Sequence, residues 1–231
     1  MAGFAAVIPA FNASLSVGDV VRGAASSLSC VLVVDDGSSD DTARRAGEAG
    51  ARVLSHPVNR GKGAALRTAF EALKDQPFDA VITLDADGQH DPADIPLFVE
   101  AFQTTGAALI IGSRERRFSA MSRGRRFGNR FSSSALSFFS GLGLPDSQSG
   151  FRLYSMPFLR ETPVRGDAYD AEMDLLLRAA AGGFRVDTVV LRSFVADGRA
   201  GSHYRPWVDT CRICACVIRF SLKRRLGRKG R

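Results

Sequence analysis

Strand-like and helix-like segments alternate through the first 115 residues, and the strand-like segments end in polar, chemically capable residues. Strands are predicted over Phe4–Pro9, Cys30–Val34, Arg52–Ser55, Ala80–Leu84 and Ala108–Ile111. The spacing between them predicts helices over Leu15–Leu28, Thr42–Ala49, Ala64–Lys74 and Pro92–Thr104, with Asp40 or Asp41 available to cap the second and Gly50 to stop it. Short runs rich in β-branched residues, alternating with helices, specify an α/β fold built on an open, mostly parallel sheet flanked by helices. In such sheets a ligand sits at the carboxyl ends of the strands. The polar segments 35–39, 59–63, 85–90 and 112–114 are therefore expected to face one another across a single site.

Beyond residue 115 the pattern is less regular. Phe127–Leu142 reads as a helix with a Phe-rich face, Asp170–Ala181 as a helix with acidic residues in its first turn, and Val186–Leu191 as a further strand. No internal repeat or low-complexity linker interrupts the chain. Residues 1–208 read as one domain and residues 209–231 as a basic, amphipathic tail.

Composition supports a folded protein. The chain has 231 residues, 45% hydrophobic and 24% charged, enough to bury a core without covalent staples. Four cysteines are too few for a disulfide framework in a chain this long, so reduced thiols and a reducing compartment are expected. Three of them, Cys211, Cys214 and Cys216, crowd together, but no fourth ligand is near, and small packing residues on an apolar helix is the simpler reading. The N-terminus lacks the basic start of a signal peptide, and no apolar run is long enough to span a bilayer.

The net charge of +7 is unevenly placed. Eight basic residues and no acid follow Asp209, so removing them leaves −1 for the first 209 residues. A second cluster holds Arg114, Arg116, Arg117, Arg123, Arg125, Arg126 and Arg130, opposed only by Glu115. Both clusters suit anionic partners. A nucleic-acid-binding protein is the rival reading of a sequence pI near 9.7; the near-neutral body and the absence of a basic-plus-aromatic recognition motif count against it, and no nucleic-acid partner is expected. Trp207–Leu226 combines a broad apolar band with arginines and lysines that increase toward its end, a composition suited to an anionic membrane surface; packing on the body is the alternative.

Asp85-Ala86-Asp87 is the sharpest chemical feature. Two carboxylates two residues apart at a strand end can reach one hard divalent cation, Mg²⁺ or Mn²⁺, which usually shares its coordination with phosphate oxygens. Gln89 adds a carbonyl and His90 an imidazole; a solvated acidic turn capping the next helix is the alternative. Asp35 and Asp36 form a second strand-end pair, able to accept from a nucleobase N–H or to serve an ordinary turn. Asn59–Gly63 is a glycine-rich loop that could cradle phosphate or ribose. It is not a Walker loop, and G-x-G-x-x-G is absent, which argues against a P-loop nucleoside triphosphatase and a nicotinamide dehydrogenase.

These segments also carry a resemblance. Ile8-Pro9-Ala10-Phe11-Asn12, Val34-Asp35-Asp36-Gly37-Ser38, Asn59-x-Gly61-Lys62-Gly63, Asp85-Ala86-Asp87-Gly88-Gln89-His90, Gly112-Ser113-Arg114 and Ser149-Gly150-Phe151-Arg152 follow in that order. In them, over roughly residues 4–205, the chain resembles the family-two glycosyltransferases of GT-A fold, and among these the polyprenyl-phosphate sugar synthases such as dolichyl-phosphate mannose synthase. The resemblance implies an inverting, metal-dependent transfer of a sugar from a nucleoside-diphosphate donor to a lipid-linked or membrane-embedded acceptor. A soluble saccharide or small-molecule hydroxyl is the same-fold alternative, and nucleotidyl transfer with release of pyrophosphate a further one.

The resemblance also assigns residues. Pro9, Phe11, Asp35, Asp36, Lys62, Asp85, Ala86 and Asp87 would form the nucleotide-sugar site, with Asp36 at the base. Asp85, Asp87 and Gln89 would hold Mg²⁺ or Mn²⁺. Arg114, Arg126 and Arg130 would meet the acceptor phosphate or leaving diphosphate, and Ser202, His203 and Arg205 would belong to a loop over the donor. Asp170 or Glu172 would act as base for a hydroxyl acceptor, whereas a phosphate acceptor needs none; favourable charge at a helix N-terminus is the alternative for both. Two departures stand out: Ala13 replaces a frequent glutamate, and the membrane-spanning C-terminal helices of some relatives are missing. A cytoplasmic protein lying peripherally on the inner face of the plasma membrane is the implied location.

Overall fold

A computed structural model of the chain describes residues 3–114, 146, 149–168 and 170–192. Seven strands form one sheet: β1 (Phe4–Ala10), β2 (Cys30–Asp35), β3 (Arg52–Ser55), β4 (Ala80–Thr83), β5 (Leu109–Ser113), β6 (Arg152–Ser155) and β7 (Val186–Val190). Their order is β3-β2-β1-β4-β6-β5-β7, with β6 antiparallel to both neighbours and every other pair parallel.

The central strand is apolar at successive positions because helices cover both of its faces. Ala5 and Val7 pack on one side with α3 (Lys62–Leu73), α5 (Met156–Glu161) and α6 (Asp170–Ala181). Ala6 and Ile8 pack on the other with α1 (Val17–Ala25), α2 (Thr42–Glu48) and α4 (Ile95–Thr105). All four of these strand residues are fully buried. The open, mostly parallel sheet flanked by helices agrees with the expectation from sequence.

Two differences are instructive. The stretch expected as one helix from Pro92 begins as a 3₁₀ turn, Pro92–Asp94, and becomes α-helical at Ile95. Asp91 caps that turn by accepting from the Ala93 N–H at 3.0 Å, and Pro96 sits where a helix needs no N–H. Strand β6 and helix α5 lie in a region where sequence periodicity indicates neither. Four residues beginning with arginine give no alternation to read, yet all four are buried. The expected helix over 127–142 and the basic tail lie outside the described residues.

The strand order places the site. It runs away from β1 in both directions, leaving a crevice beyond the carboxyl ends of β1 and β4. Because β6 is antiparallel, its amino end reaches the same edge. Arg152 stands opposite Thr83 of β4 and Ile111 of β5, which delivers the Ser149–Arg152 segment beside the ends of the parallel strands.

Candidate active site

At the end of β1, Pro9 and Phe11 are half-buried. Asn12 turns the chain in the left-handed region at φ 48°, a conformation its short polar side chain tolerates. It joins the neighbouring strand end by donating its N–H to Ser38 Oγ at 2.8 Å and accepting from the Ser39 N–H at 2.9 Å.

At the end of β2, Asp35 and Asp36 are both buried. Asp35 Oδ1 accepts from the Ser38 N–H at 3.3 Å. Asp36 organises the next loop: its carboxylate meets His56 Nδ1 at 2.6 Å and accepts from the N–H groups of Arg60 and Gly61 at 3.0 and 2.7 Å. A carboxylate has about four acceptor positions, and three are engaged within the protein. Gly63 N–H donates to the Asp167 carbonyl at 2.9 Å. The Asn59–Gly63 loop thus spends three backbone donors within the protein. Its glycines serve close packing: a Cβ on Gly61 would lie 2.1 Å from the Asp167 oxygen.

What this loop contributes is Lys62, the first residue of α3. Its ammonium lies 2.6 Å from Asp85 Oδ1 and 3.1 Å from Glu172 Oε2. Three separated segments therefore meet at one nitrogen. Burial would raise the Asp85 pKa, but Lys62 and then His90 overcome it and hold the carboxyl down to about 2. Asp87 behaves oppositely: burial and the charge on Asp85 push it up to about 6. Asp87 Oδ1 accepts from the Gln89 N–H at 2.9 Å, and the Ala86 carbonyl accepts from Ser16 Oγ at 2.6 Å, tying the loop to the start of α1. His90, buried behind Asp85, is pushed down to about 4, chiefly by burial.

Arg114 closes the site from β5. Its Nε and Nη2 donate to the two oxygens of Asp146 at 2.6 and 3.0 Å. Burial opposes its charge, but Asp146, with Asp85 and Asp87 behind it, more than restores it. On the far side Arg152 is buried, donating to the Ser149 carbonyl at 2.7 Å and to the Glu172 carbonyl at 2.9 Å. It fixes the start of α6 to the start of β6 and so sets where Glu172 begins. Glu172 is buried, and its Oε1 has no hydrogen-bond partner among the described residues. Asp170 accepts from the Ala168 N–H at 3.2 Å and serves the turn before its helix.

Asp85 and Asp87 suit a hard divalent cation: two carboxylates side by side, one held protonated until about pH 6 by burial and by its neighbour's charge. Among the described residues no group of three or more His, Cys, Asp or Glu side chains converges as a complete ligand set. A cation here would draw further ligands from a phosphate group or water.

Residues 5–162 match the family described as glycosyl transferase family 2. The chain belongs to glycosyl transferase family 2. Over 167 residues this glycosyltransferase is 31% identical to the undecaprenyl-phosphate mannosyltransferase of Micrococcus luteus, a match covering 68% of each chain. It is 25% identical over 214 residues to the UDP-N-acetylglucosamine–dolichyl-phosphate N-acetylglucosaminyltransferase of Methanococcus voltae, covering 83% of this chain and 85% of that one. Among solved structures, glucosyl-3-phosphoglycerate synthase from Mycobacterium tuberculosis, in complex with Mn²⁺, UDP and phosphoglyceric acid, superposes with a TM-score of 0.78 at 24% identity. That likeness covers 95% of this chain and 78% of the other and establishes the GT-A fold.

The fold of the glycosyltransferase thus gathers Pro9, Phe11, Asp35, Asp36, Lys62, Asp85, Ala86, Asp87, Gln89, Arg114 and Glu172 at one sheet edge, with Asp170 in the turn beside them. Arg126, Arg130, Ser202, His203 and Arg205 lie outside the described residues. Sequence reasoning missed His56 and Asp146, and gave Gly150 and Arg152 no role. For Asp146 a signal existed: it is the first acidic residue after Glu115, beyond the whole arginine cluster.

Proposed function

We propose that this glycosyltransferase moves a hexose from a nucleoside-diphosphate donor to a polyprenyl phosphate or similar lipid-linked acceptor, by one inverting displacement. The observation that carries the reading is the meeting of Asp85, Asp87, Lys62 and Arg114 at the mouth of the sheet. Carboxylates placed for a cation and two positive side chains suit a departing diphosphate. The relatives named for undecaprenyl-phosphate and dolichyl-phosphate transfer support the lipid acceptor.

In this mechanism Pro9, Phe11, Asp35 and Asp36 bind the nucleoside. Asp85 and Asp87, with Gln89 beside them, would hold Mg²⁺ or Mn²⁺, which when bound would neutralise charge on the diphosphate. An acceptor oxygen attacks the anomeric carbon as the bond to the β-phosphate oxygen breaks, and the electron pair leaves with the diphosphate. Arg114 and Lys62 stabilise that growing charge, and such stabilisation is usually the largest catalytic contribution. A phosphate acceptor is already anionic and needs no base. This accords with Glu172 being engaged by Lys62 and Asp170 by its own turn. Arg126 and Arg130 supply further positive charge for the acceptor, while Ser202, His203 and Arg205 cover the donor. The basic tail brings the enzyme to the inner face of the plasma membrane. Among the described residues no helix is long and apolar enough to cross it.

The test is calorimetric binding of UDP, GDP, CDP and dTDP with and without Mn²⁺, followed by transfer assays with polyprenyl phosphates. One diphosphate, a uridine one in our reading, is expected to bind in a metal-dependent manner that Asp87→Ala abolishes. Transfer to soluble sugars but not to polyprenyl phosphate would overturn the lipid acceptor. Absence of binding to all four would overturn the donor assignment.

A further inference from the structure

We propose that Lys62 occupies the Asp85 carboxylate until donor arrives, so that cation and nucleotide bind interdependently. The inference rests on the reading of Asp85 and Asp87 as the cation's ligands.

The geometry begins with one oxygen. Asp85 Oδ1 is 2.6 Å from Lys62 Nζ, a charge-assisted hydrogen bond of full strength. The other oxygen faces His90 Nδ1 at 3.7 Å. The ammonium has little water to return to, because its side chain is only 12% exposed and Glu172 Oε2 holds it from behind at 3.1 Å. Gly150 closes another side. A Cβ there would stand 2.4 Å from Asp85 Oδ2 and 2.8 Å from Lys62 Nζ, so the pair lies directly against backbone.

A divalent cation arriving alone meets a carboxylate already neutralised, and a positive charge within a few ångströms of its seat. Like charges that close, and partly shielded from water, repel strongly. A cation arriving with a diphosphate meets a different balance. The phosphate oxygens give the ammonium a new anionic partner, Asp85 is released to the metal, and Glu172 keeps the lysine from swinging away. Coupling of this kind is reciprocal: the factor by which diphosphate tightens the cation equals the factor by which the cation tightens diphosphate. In this scheme Glu172 is a positioning residue that acts through Lys62, not a proton acceptor.

The decisive variant is Lys62→Met/Glu172→Gln, which removes one positive and one negative charge together and leaves the site's net charge unchanged. Mn²⁺ alone, followed by the paramagnetic resonance signal of the free ion, is expected to bind this variant at least tenfold tighter than the wild type. Adding Asp87→Asn should erase the gain. The extra tightening of Mn²⁺ by whichever of UDP, GDP, CDP or dTDP the wild type binds should shrink by a similar factor. Lys62→Arg, which keeps the charge, should bind Mn²⁺ alone no tighter than the wild type. Circular dichroism checks folding of each variant. Wild-type affinity for Mn²⁺ in the double variant, a gain that survives Asp87→Asn, or a gain in Lys62→Arg would each overturn the proposal. Failure of every diphosphate to bind would instead overturn the donor assignment, while the Mn²⁺ measurements still decide the role of Lys62.

Discussion

Arg114 and Asp146 face each other through two parallel N–H···O bonds of 2.6 and 3.0 Å, although 32 residues separate them in sequence. The Asp146 side chain is wholly buried and that of Arg114 is 15% exposed, so neither charge is satisfied by solvent. Breaking such a pair from one side costs about 3 kcal/mol or more, because the surviving charge is stranded. Asp146→Asn is expected to lower the melting temperature by roughly 6–12 °C. It should also lower kcat at least tenfold while leaving the donor KM within about threefold, since Arg114 would still be present but no longer aimed. Arg114→Met/Asp146→Leu should recover most of the stability and none of the rate. A calorimetric melt and steady-state kinetics on both variants decide it. Full activity in Asp146→Asn would remove Arg114 aiming from the mechanism.

What was legible in the sequence is what lies in one parallel strand and the turn after it. The apolar runs ending in Asp35, Asp85 and Arg114 announced both the sheet and its functional edge, because burial on two faces demands continuous apolar residues. The partners of Arg152 and Asp146 were opaque for the opposite reason. Each of these two is a charged residue inside the protein, and its partner is set by the antiparallel insertion of β6 between β4 and β5. No local pattern encodes that insertion. The glycine-rich loop was only half legible, because glycine signals close approach without naming what approaches. At Gly61 it is the Asp167 backbone.

Gly150 offers a cleaner separation of stability from function. The atoms its missing Cβ would strike, Asp85 Oδ2 and Lys62 Nζ, belong to side chains and not to backbone, so the clash is relieved by displacing the Asp85 carboxylate without moving the chain. Gly150→Ala is therefore expected to fold with a stability within about 1 kcal/mol of the wild type, in the range of ordinary tolerated substitutions. Its metal-dependent diphosphate affinity should fall at least tenfold, because the displaced carboxylate no longer meets the cation. Thermal melts and titration calorimetry on the same sample test both halves. Loss of fold together with binding would show that the pair is held more rigidly than its side-chain ends suggest.

The tail invites a charge-reversal test. Each basic residue near an anionic bilayer contributes about 1 kcal/mol. Replacing Lys223, Arg224 and Arg225 by Glu in the full chain should weaken association with phosphatidylglycerol-containing vesicles by more than a hundredfold. Neutral phosphatidylcholine vesicles should capture neither protein, and rising salt should release the wild type. Cosedimentation measures all of these. Equal capture of the variant and the wild type would mean that the tail is not the membrane contact.

Asp87 gives the enzyme a pH dependence whose direction follows from its surroundings. Burial, then the neighbouring Asp85 charge, raise its folded pKa to about 6 from the ordinary 3.8. Between those two values the cation-free folded protein keeps a proton that the unfolded chain has released. Stability therefore falls as pH rises through that window, and the ionised pair is left short of positive charge above it. A divalent cation supplies that charge, but below pH 6 it must first displace the proton. Mn²⁺ affinity is accordingly expected to be about constant above pH 7 and to fall roughly tenfold by pH 5, the loss approaching one decade per pH unit. Asp85, held down to about 2, stays ionised throughout and contributes no slope. Free Mn²⁺ titrations at pH 5, 6 and 7.5 measure the effect. In Asp87→Asn the residual affinity should be flat across the range, and a wild-type profile equally flat would place the cation away from Asp87.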